Sequence, residues 1–203
     1  MDRVEFFFDL SSPWTYLAFH NVQPILKETG ATARWRSVLV GGIFNAVNQS
    51  IYQIRDMADS PKVKHLGKSL QDWARLSGLP MNFPSVHHPI KSVAVMRCCC
   101  VMEGTQNQLQ SFSKRAFDAY FREQLNLDDE AVLIAVAKDV GLDGEDLITQ
   151  SRTQSIKDQL RANTEEAIQR GAFGSPTIFV DGTDQYFGND QLPLVRAALL
   201  KAA

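Results

Sequence analysis

The chain has 203 residues, of which 44% are hydrophobic and 22% are charged, the balance of a globular protein with a substantial core. Its 21 basic and 23 acidic side chains give a net charge of −2 without a sustained basic run, which argues against a nucleic-acid partner and favours a small molecule. No stretch is apolar for long enough to span a bilayer, and the first residues lack a signal-peptide pattern. We therefore expect a cytoplasmic protein without a membrane partner.

The first elements along the chain are predicted to be a strand, a helix and a strand. Residues 4–8 form a short aromatic-rich run, and residues 11–13 supply capping hydroxyls and a proline for a first helical turn. The apolar spacing predicts a helix over 13–28. The alternation over 32–40 predicts a second strand, which the glycine pair at 41–42 ends.

The middle of the chain, residues 43–155, contains no convincing strand pattern and is predicted to be mostly helical. The candidate helices cover residues 69–76, 91–103, 112–122, 129–140 and 144–151. The three cysteines are consecutive, at 98–100, and adjacent residues on a helix point about 100° apart, so they do not converge on one metal ion. We expect buried core thiols, no metal site and a reducing compartment.

The last part of the chain is predicted to form a helix over 155–170, a hairpin over 177–187 and a final helix over 192–201. Together with the opening segment, these elements make an α/β thioredoxin-like fold that a large all-helical insertion interrupts after the second strand. The boundaries follow from these elements. The thioredoxin-like domain is expected over 1–42 and 156–203, and the helical insertion domain over 43–155.

The carboxyl end of the first strand is the first candidate site, since ligands of open α/β sheets bind beyond such ends. Free N–H groups and the helix macrodipole after residue 12 favour an anion such as a thiolate, and Ser12 adds a hydroxyl donor. A simple capping role for Ser11 or Ser12 explains the same residues equally well. Residues 174–177, where a proline opens a strand, and the pair 189–190 at a helix start are further candidates, with capping again the plain alternative for the pair.

Three segments of the chain resemble, in order and spacing, the kappa-class glutathione transferases and 2-hydroxychromene-2-carboxylate isomerases, which are related to the bacterial DsbA-type oxidoreductases. The segments are 8–17 (Phe-Asp-Leu-Ser-Ser-Pro-Trp-Thr-Tyr-Leu), 171–177 (Gly-Ala-Phe-Gly-Ser-Pro-Thr) and 187–190 (Phe-Gly-Asn-Asp). The resemblance covers nearly the whole chain. It implies that Ser12 is the catalytic serine, standing where redox relatives carry their attacking cysteine, and that glutathione supplies the missing thiol.

The same resemblance implies which residues hold glutathione. Ser175 and a cis-Pro176 would present backbone to the cysteinyl part of the ligand. Asn189 and Asp190 would hold its γ-glutamyl ammonium and carboxylate.

Other residues near this ligand are less firmly implied. Lys62 would meet the glycyl carboxylate of glutathione, although an exposed, solvated lysine explains this residue nearly as well. Asn48 is a looser candidate for the same ligand. The family often has an asparagine at the position of Lys91, and this lysine with His87 or His88 would favour an acidic substrate, but a plain loop explains the two histidines as well.

By this resemblance, we expect a glutathione-dependent isomerase that interconverts 2-hydroxychromene-2-carboxylate and trans-o-hydroxybenzylidenepyruvate in aromatic degradation, through conjugate addition of the thiolate. One alternative is a kappa-class glutathione transferase or peroxidase. A second is a non-catalytic thioredoxin-like binding module. Members of the family commonly dimerise, so a homodimer is expected.

Overall fold

A computed structural model describes residues 2–56 and 59–201 and contains one four-stranded sheet with the strand order β2-β1-β3-β4. The strands are β1 (Val4–Phe8), β2 (Ala33–Ser37), β3 (Thr177–Val180) and β4 (Asp184–Phe187). β1 runs parallel to β2 and antiparallel to β3, and β3 runs antiparallel to β4. The predicted thioredoxin-like sheet, built from the two ends of the chain, is confirmed.

Ten α-helices surround this sheet in the described part of the chain. They are α1 (Pro13–Thr29), α2 (Val40–Val47), α3 (Ser50–Asp56), α4 (Pro61–Leu76), α5 (Val93–Val101), α6 (Gln106–Phe117), α7 (Glu130–Asp139), α8 (Gly144–Ser151), α9 (Gln154–Gln169) and α10 (Leu192–Lys201). A π-helical turn, Asp118–Arg122, continues α6. Between β2 and β3 the described residues contain no strand, as predicted, and residues 57 and 58 of that block lie outside them. None of the described helices combines the length and apolarity needed to cross a bilayer.

The end of β2 differs from the prediction. The strand stops at Ser37, and α2 begins at Val40, so Gly41 and Gly42 lie inside a helix instead of ending the strand. The backbone N–H of Val40 donates to the carboxylate of Asp9 at 2.8 Å, which satisfies one of the free donors at the helix start. The side chain that follows β1 thus contributes to the start of this helix, and local sequence patterns do not show such a distant contact.

The aromatic run of β1 is buried on both faces of the sheet. Phe6 and Phe8 pack with α1 and the helical block, whereas Phe7 packs on the opposite face beside Ile43 of α2 and Phe179 of β3. Successive side chains of a strand point to opposite faces, so three consecutive aromatics require helices on both sides. The sheet and the helical block share one hydrophobic core, which fixes the helices as walls around the end of β1.

The three cysteines lie in α5, all buried and all free, as predicted. Burial raises the pKa of the Cys98 thiol to about 11, and it raises the pKa of Cys99 and Cys100 as well. These thiols therefore stay neutral at physiological pH and belong to the core.

Candidate active site

The turn between β1 and α1 carries Ser12 as the N-cap of α1. Its backbone is extended (φ −91°, ψ 120°), and its hydroxyl oxygen accepts from the Thr15 N–H at 3.2 Å. The same hydroxyl donates to the carbonyl oxygen of Ser175 at 3.1 Å. Ser12 therefore caps the helix and also connects the turn to the segment before β3. The capping role of Ser12 and its proposed role at the site do not exclude each other.

Two backbone N–H groups beside Ser12 lack a hydrogen-bond acceptor within residues 2–56 and 59–201. They belong to Trp14, in the first turn of α1, and to Ser175, which precedes β3. The other positions of the first turn are accounted for, since Pro13 has no N–H and the Thr15 N–H donates to Ser12. Buried N–H groups are almost always paired, so unpaired donors at the positive end of a helix form a place for an anion.

Asp9 is fully buried below this turn, and the first turns of three helices approach its carboxylate. It accepts from the N–H and hydroxyl of Ser11 (both 2.8 Å), from the N–H of Val40 at the start of α2 (2.8 Å), and from the hydroxyl of Ser92 before α5 (3.0 Å). Burial raises the pKa of Asp9, and the four donors oppose this shift. The Ser11 hydroxyl donates to the buried Asp9 carboxylate, whereas the Ser12 hydroxyl donates to the carbonyl of Ser175, a residue of the cleft wall. Ser12 is therefore the better candidate for contact with a ligand.

The segment before β3 carries the predicted cis peptide, between Ser175 and Pro176. The side-chain oxygen of Ser175 accepts from the Asp9 N–H at 2.9 Å and shares a hydrogen bond with the hydroxyl of Thr15 at 2.9 Å. The Ser175 side chain thus secures the turn. Its main chain remains at the wall of the cleft.

A cleft of about 790 Å³ opens above the Ser12 turn, between the sheet edge and the helical block. Its aromatic lining consists of Trp14, Phe44, Tyr52, Trp73, Phe83, Phe173 and Phe187. Phe173 and Phe187 lie with ring centroids 4.4 Å apart, and a Cβ on Gly174 would come within 2.8 Å of the Phe187 ring. A glycine is needed for this close approach. The cleft suits a flat, conjugated ligand of the size that such cavities enclose.

Asp190 and Asn48, two predicted ligand residues, also line this cleft. Asp190 is exposed, and its carboxylate lies over Gly188, where a Cβ would be 3.0 Å from the Asp190 oxygen and where φ is +82°. The amide of Asn48 donates to the Phe173 carbonyl at 3.0 Å, so its nitrogen supports the cleft wall.

Asn189 and Lys62 lie apart from the described cleft wall. Asn189 is 2% exposed, and its side-chain oxygen accepts from the amide of Asn21 in α1 at 2.7 Å. The Asn21 amide also donates to the hydroxyl of Ser77, so Asn189 helps connect the segment before α10 to α1 and α4. Lys62 is exposed in the first turn of α4. The structure thus brings Ser12, Ser175, Asp190 and Asn48 to one cleft, whereas Asn189 and Lys62 do not line it.

One group at the site, Asp9, was not predicted from the sequence, and one of the two histidines considered for an acidic substrate, His88, lines the cleft. Asp9 organises the turn, and its only sequence signal is an acid directly after an apolar strand. His88 lines the cleft, with its Nδ1 3.0 Å from the hydroxyl of the buried Tyr120. Burial raises the pKa of Tyr120 to about 12, so the hydroxyl stays protonated beside the histidine. Within residues 2–56 and 59–201 no cluster of three or more metal-binding side chains exists.

Comparison with known proteins agrees with this geometry. A family model, the DSBA-like thioredoxin domain, matches residues 3–200. The chain is 28% identical over 204 residues to a 2-hydroxychromene-2-carboxylate isomerase of Sphingobium xenophagum, with 97% of each chain covered. It is 24% identical over 200 residues to glutathione S-transferase kappa 2 of Caenorhabditis elegans, with 95% of this chain and 89% of the relative covered.

A solved structure of a 2-hydroxychromene-2-carboxylate isomerase has a similar fold, with a TM-score of 0.84 and 26% identity over 98% of this chain and 95% of that one. These relatives are isomerases or glutathione transferases, which supports an enzymatic role for this chain. Since the family model spans nearly every residue from the first strand to the last helix, the protein belongs to the DSBA-like thioredoxin domain family.

Proposed function

We propose that the protein is a glutathione-dependent isomerase that interconverts 2-hydroxychromene-2-carboxylate and trans-o-hydroxybenzylidenepyruvate. The observation that carries the proposal is a group of donors around the Ser12 turn, namely the Ser12 hydroxyl, the unpaired N–H of Trp14 in α1 and the unpaired N–H of Ser175 before β3. Donors at a helix N-terminus favour a bound anion. Since all three cysteines are buried in α5, a thiolate at this place has to arrive with a ligand.

The residues present fit glutathione as that ligand. Asp190 offers an exposed carboxylate to the γ-glutamyl ammonium, and the unpaired N–H of Ser175, which precedes cis-Pro176, offers a donor to the cysteinyl backbone. Asn48 lines the same cleft. In this proposal Asn189 supports the Asp190 segment from beneath. Lys62, exposed in the first turn of α4 beside the cleft-lining Val63, meets the glycyl carboxylate.

Bound glutathione would supply a thiolate nucleophile for reversible conjugate addition to the ring-opened form of the substrate, whose double bond needs to be loosened for isomerisation. Ser12 serves this chemistry by rotating its hydroxyl from the Ser175 carbonyl towards the sulfur. One pKa unit of thiol stabilisation corresponds to about 1.4 kcal/mol, and a hydroxyl donor with the helix dipole supplies about one or two units. The aromatic walls hold the flat substrate and exclude water.

The isomerase reaction is favoured over the other two functions for separate reasons. The 28% identical relative over the whole length is an isomerase, whereas the kappa-class relative is 24% identical. A kappa-class transferase or peroxidase would use the same donors on a different electrophile. A non-catalytic binding module would have no need for unpaired donors beside an aromatic cleft.

The proposal also extends to the setting of the enzyme. Three free cysteines suit the reducing conditions of the cytoplasm. Aromatic catabolism is the process in which this substrate pair occurs, and a homodimer is the assembly that the family resemblance implies.

The decisive experiment measures glutathione binding by calorimetry and then compares three substrates with glutathione present. The substrates are 2-hydroxychromene-2-carboxylate, chlorodinitrobenzene and an organic hydroperoxide. We expect millimolar glutathione or less to saturate the protein and the chromene carboxylate to react fastest. Faster reaction of either other substrate would assign the transferase or peroxidase function, and no binding at millimolar glutathione would refute a glutathione enzyme altogether.

A further inference from the structure

Lys91 is an exposed cation at the cleft wall. In the part of the chain that the structure describes, its ammonium group takes no part in an ion pair or a side-chain hydrogen bond. Lys68, by contrast, forms an ion pair with Asp72. The carboxylate of Asp128 accepts from the backbone N–H of Lys91, at 3.1 and 3.2 Å, and not from its ammonium group.

Buried neighbours and a backbone hydrogen bond fix the main chain of Lys91, and therefore the position of its Cα. Ile90 and Ser92 are buried, and the Lys91 carbonyl accepts from the N–H of Val93 at 2.8 Å. Ser92 adopts a left-handed conformation (φ 52°), which is unusual for a residue other than glycine. Such positions persist when the surroundings over-determine them and are frequent at ligand sites.

Hydrogen bonds connect this segment directly to the Ser12 turn. The hydroxyl of Ser92 donates to one oxygen of Asp9 at 3.0 Å, and the other oxygen of Asp9 accepts from Ser11 at 2.8 Å. Ser92, which follows Lys91, and Ser11, which precedes Ser12, therefore both donate to the carboxylate of Asp9. Lys91 and the Ser12 turn both line the same cleft.

The described wall of the cleft has two fully charged side chains, Lys91 and Asp190, and the remainder is largely apolar or aromatic. Asp190 belongs to the segment after β4, whereas Lys91 belongs to the segment before α5. An unpaired ammonium beside aromatic walls matches a ligand with one carboxylate on a flat conjugated body. A neutral aromatic electrophile offers this exposed cation no charged partner, so the ammonium stays with the solvent.

We infer that Lys91 binds the carboxylate of the substrate and thereby selects aromatic acids over neutral aromatic electrophiles. The inference rests on the proposed function for the identity of the substrate, but the carboxylate preference is measurable without turnover. The competing source of a carboxylate is glutathione itself, so the experiment has to separate the two.

The test uses trans-cinnamate and trans-cinnamamide, which share one conjugated body and differ in charge. Their binding is followed by quenching of the fluorescence of Trp14 and Trp73, which line the cleft, with and without glutathione. All measurements are made at pH 8. We expect the wild type to bind the acid about three- to fivefold more tightly than the amide, because Lys91 is exposed and solvent screens its charge.

Lys91→Met keeps the length of the side chain and removes the charge, and it should abolish the preference while leaving amide and glutathione binding unchanged. Lys91→Arg should retain the preference. Lys138→Met, which breaks an exposed pair with Glu145 in another part of the structure, is the matched control. Equal affinities of the wild type for acid and amide, or equal losses of both in Lys91→Met, would overturn the inference.

A loss of glutathione affinity in Lys91→Met with the acid preference intact would assign the cation to glutathione and would also overturn it. Failure of the wild type to bind glutathione refutes the proposed function alone, because the comparison of acid and amide is still measured without glutathione. The two proposals therefore fail through different observations.

Discussion

Replacing Ser12 with alanine removes a hydroxyl that makes two hydrogen bonds, one from the Thr15 N–H at 3.2 Å and one to the Ser175 carbonyl at 3.1 Å. Loss of a helix N-cap costs about 1 kcal/mol, and the second bond contributes about 1 kcal/mol. For a domain of this size, about 2 kcal/mol lowers Tm by roughly 4–8 °C. The fold should therefore survive, measured by thermal unfolding in the absence of glutathione.

The effect of Ser12→Ala on the bound thiol should be larger than its effect on the fold. A charge-assisted hydrogen bond contributes about 1.5–3 kcal/mol, which equals about one to two pKa units of the glutathione thiol. The pKa of the bound thiol should rise accordingly, and turnover should fall about ten- to a hundredfold near neutral pH. The absorbance of the thiolate in the ultraviolet, followed during a pH titration, gives the first quantity, and steady-state rates give the second.

Ser11→Ala is the control, and the structure shows that it is not a silent change. Its hydroxyl is one of four donors to the buried Asp9 carboxylate, so its removal should cost about 1.5–3 kcal/mol of folding free energy, comparable with Ser12→Ala. The pKa of the bound thiol should nevertheless stay at its wild-type value. If Ser11→Ala raised that pKa and Ser12→Ala did not, the reasoning would be wrong about which serine serves the ligand.

Three other expectations follow from the burial and pairing of charged or ionisable groups. Asp190→Asn should weaken glutathione binding about three- to fivefold by calorimetry, because the carboxylate is exposed and the solvent screens its charge; an unchanged Kd would remove Asp190 from the site. The pKa of Asp9 is raised by burial above its unfolded value of about 3.9, so the folded state holds this proton more tightly, and this group's contribution to stability should fall as pH rises above about 4. Asp9→Asn should remove that component, and urea unfolding with the same pH dependence in both proteins would contradict it. The thiols at 98–100, with raised pKa values, should not react with a disulfide reagent at pH 8 until denaturant unfolds the protein, and rapid labelling of the native state would show that α5 opens.

The overall architecture could be predicted from local patterns, because each pattern reports on its own element. The aromatic run at 4–8, the proline-started helix after it and the hairpin over 177–187 were all predicted close to their observed bounds. The absence of strand patterns over 43–155 indicated the helical insertion, and the order of three motifs indicated the family. These features depend on residues that are neighbours in sequence.

Only the tertiary structure decided which groups the site residues contact. Val40 starts a helix because Asp9, distant in sequence, accepts its N–H, and the same carboxylate binds the hydroxyl of Ser11. Asn189 is buried against α1, although its place in the Phe-Gly-Asn-Asp segment resembles that of a ligand residue. Lys91 reaches the cleft through the packing of α5 against the sheet. Sequence specifies which side chains can donate, accept or carry charge, but their partners are set when segments far apart in the chain pack together and each buried polar group must find one.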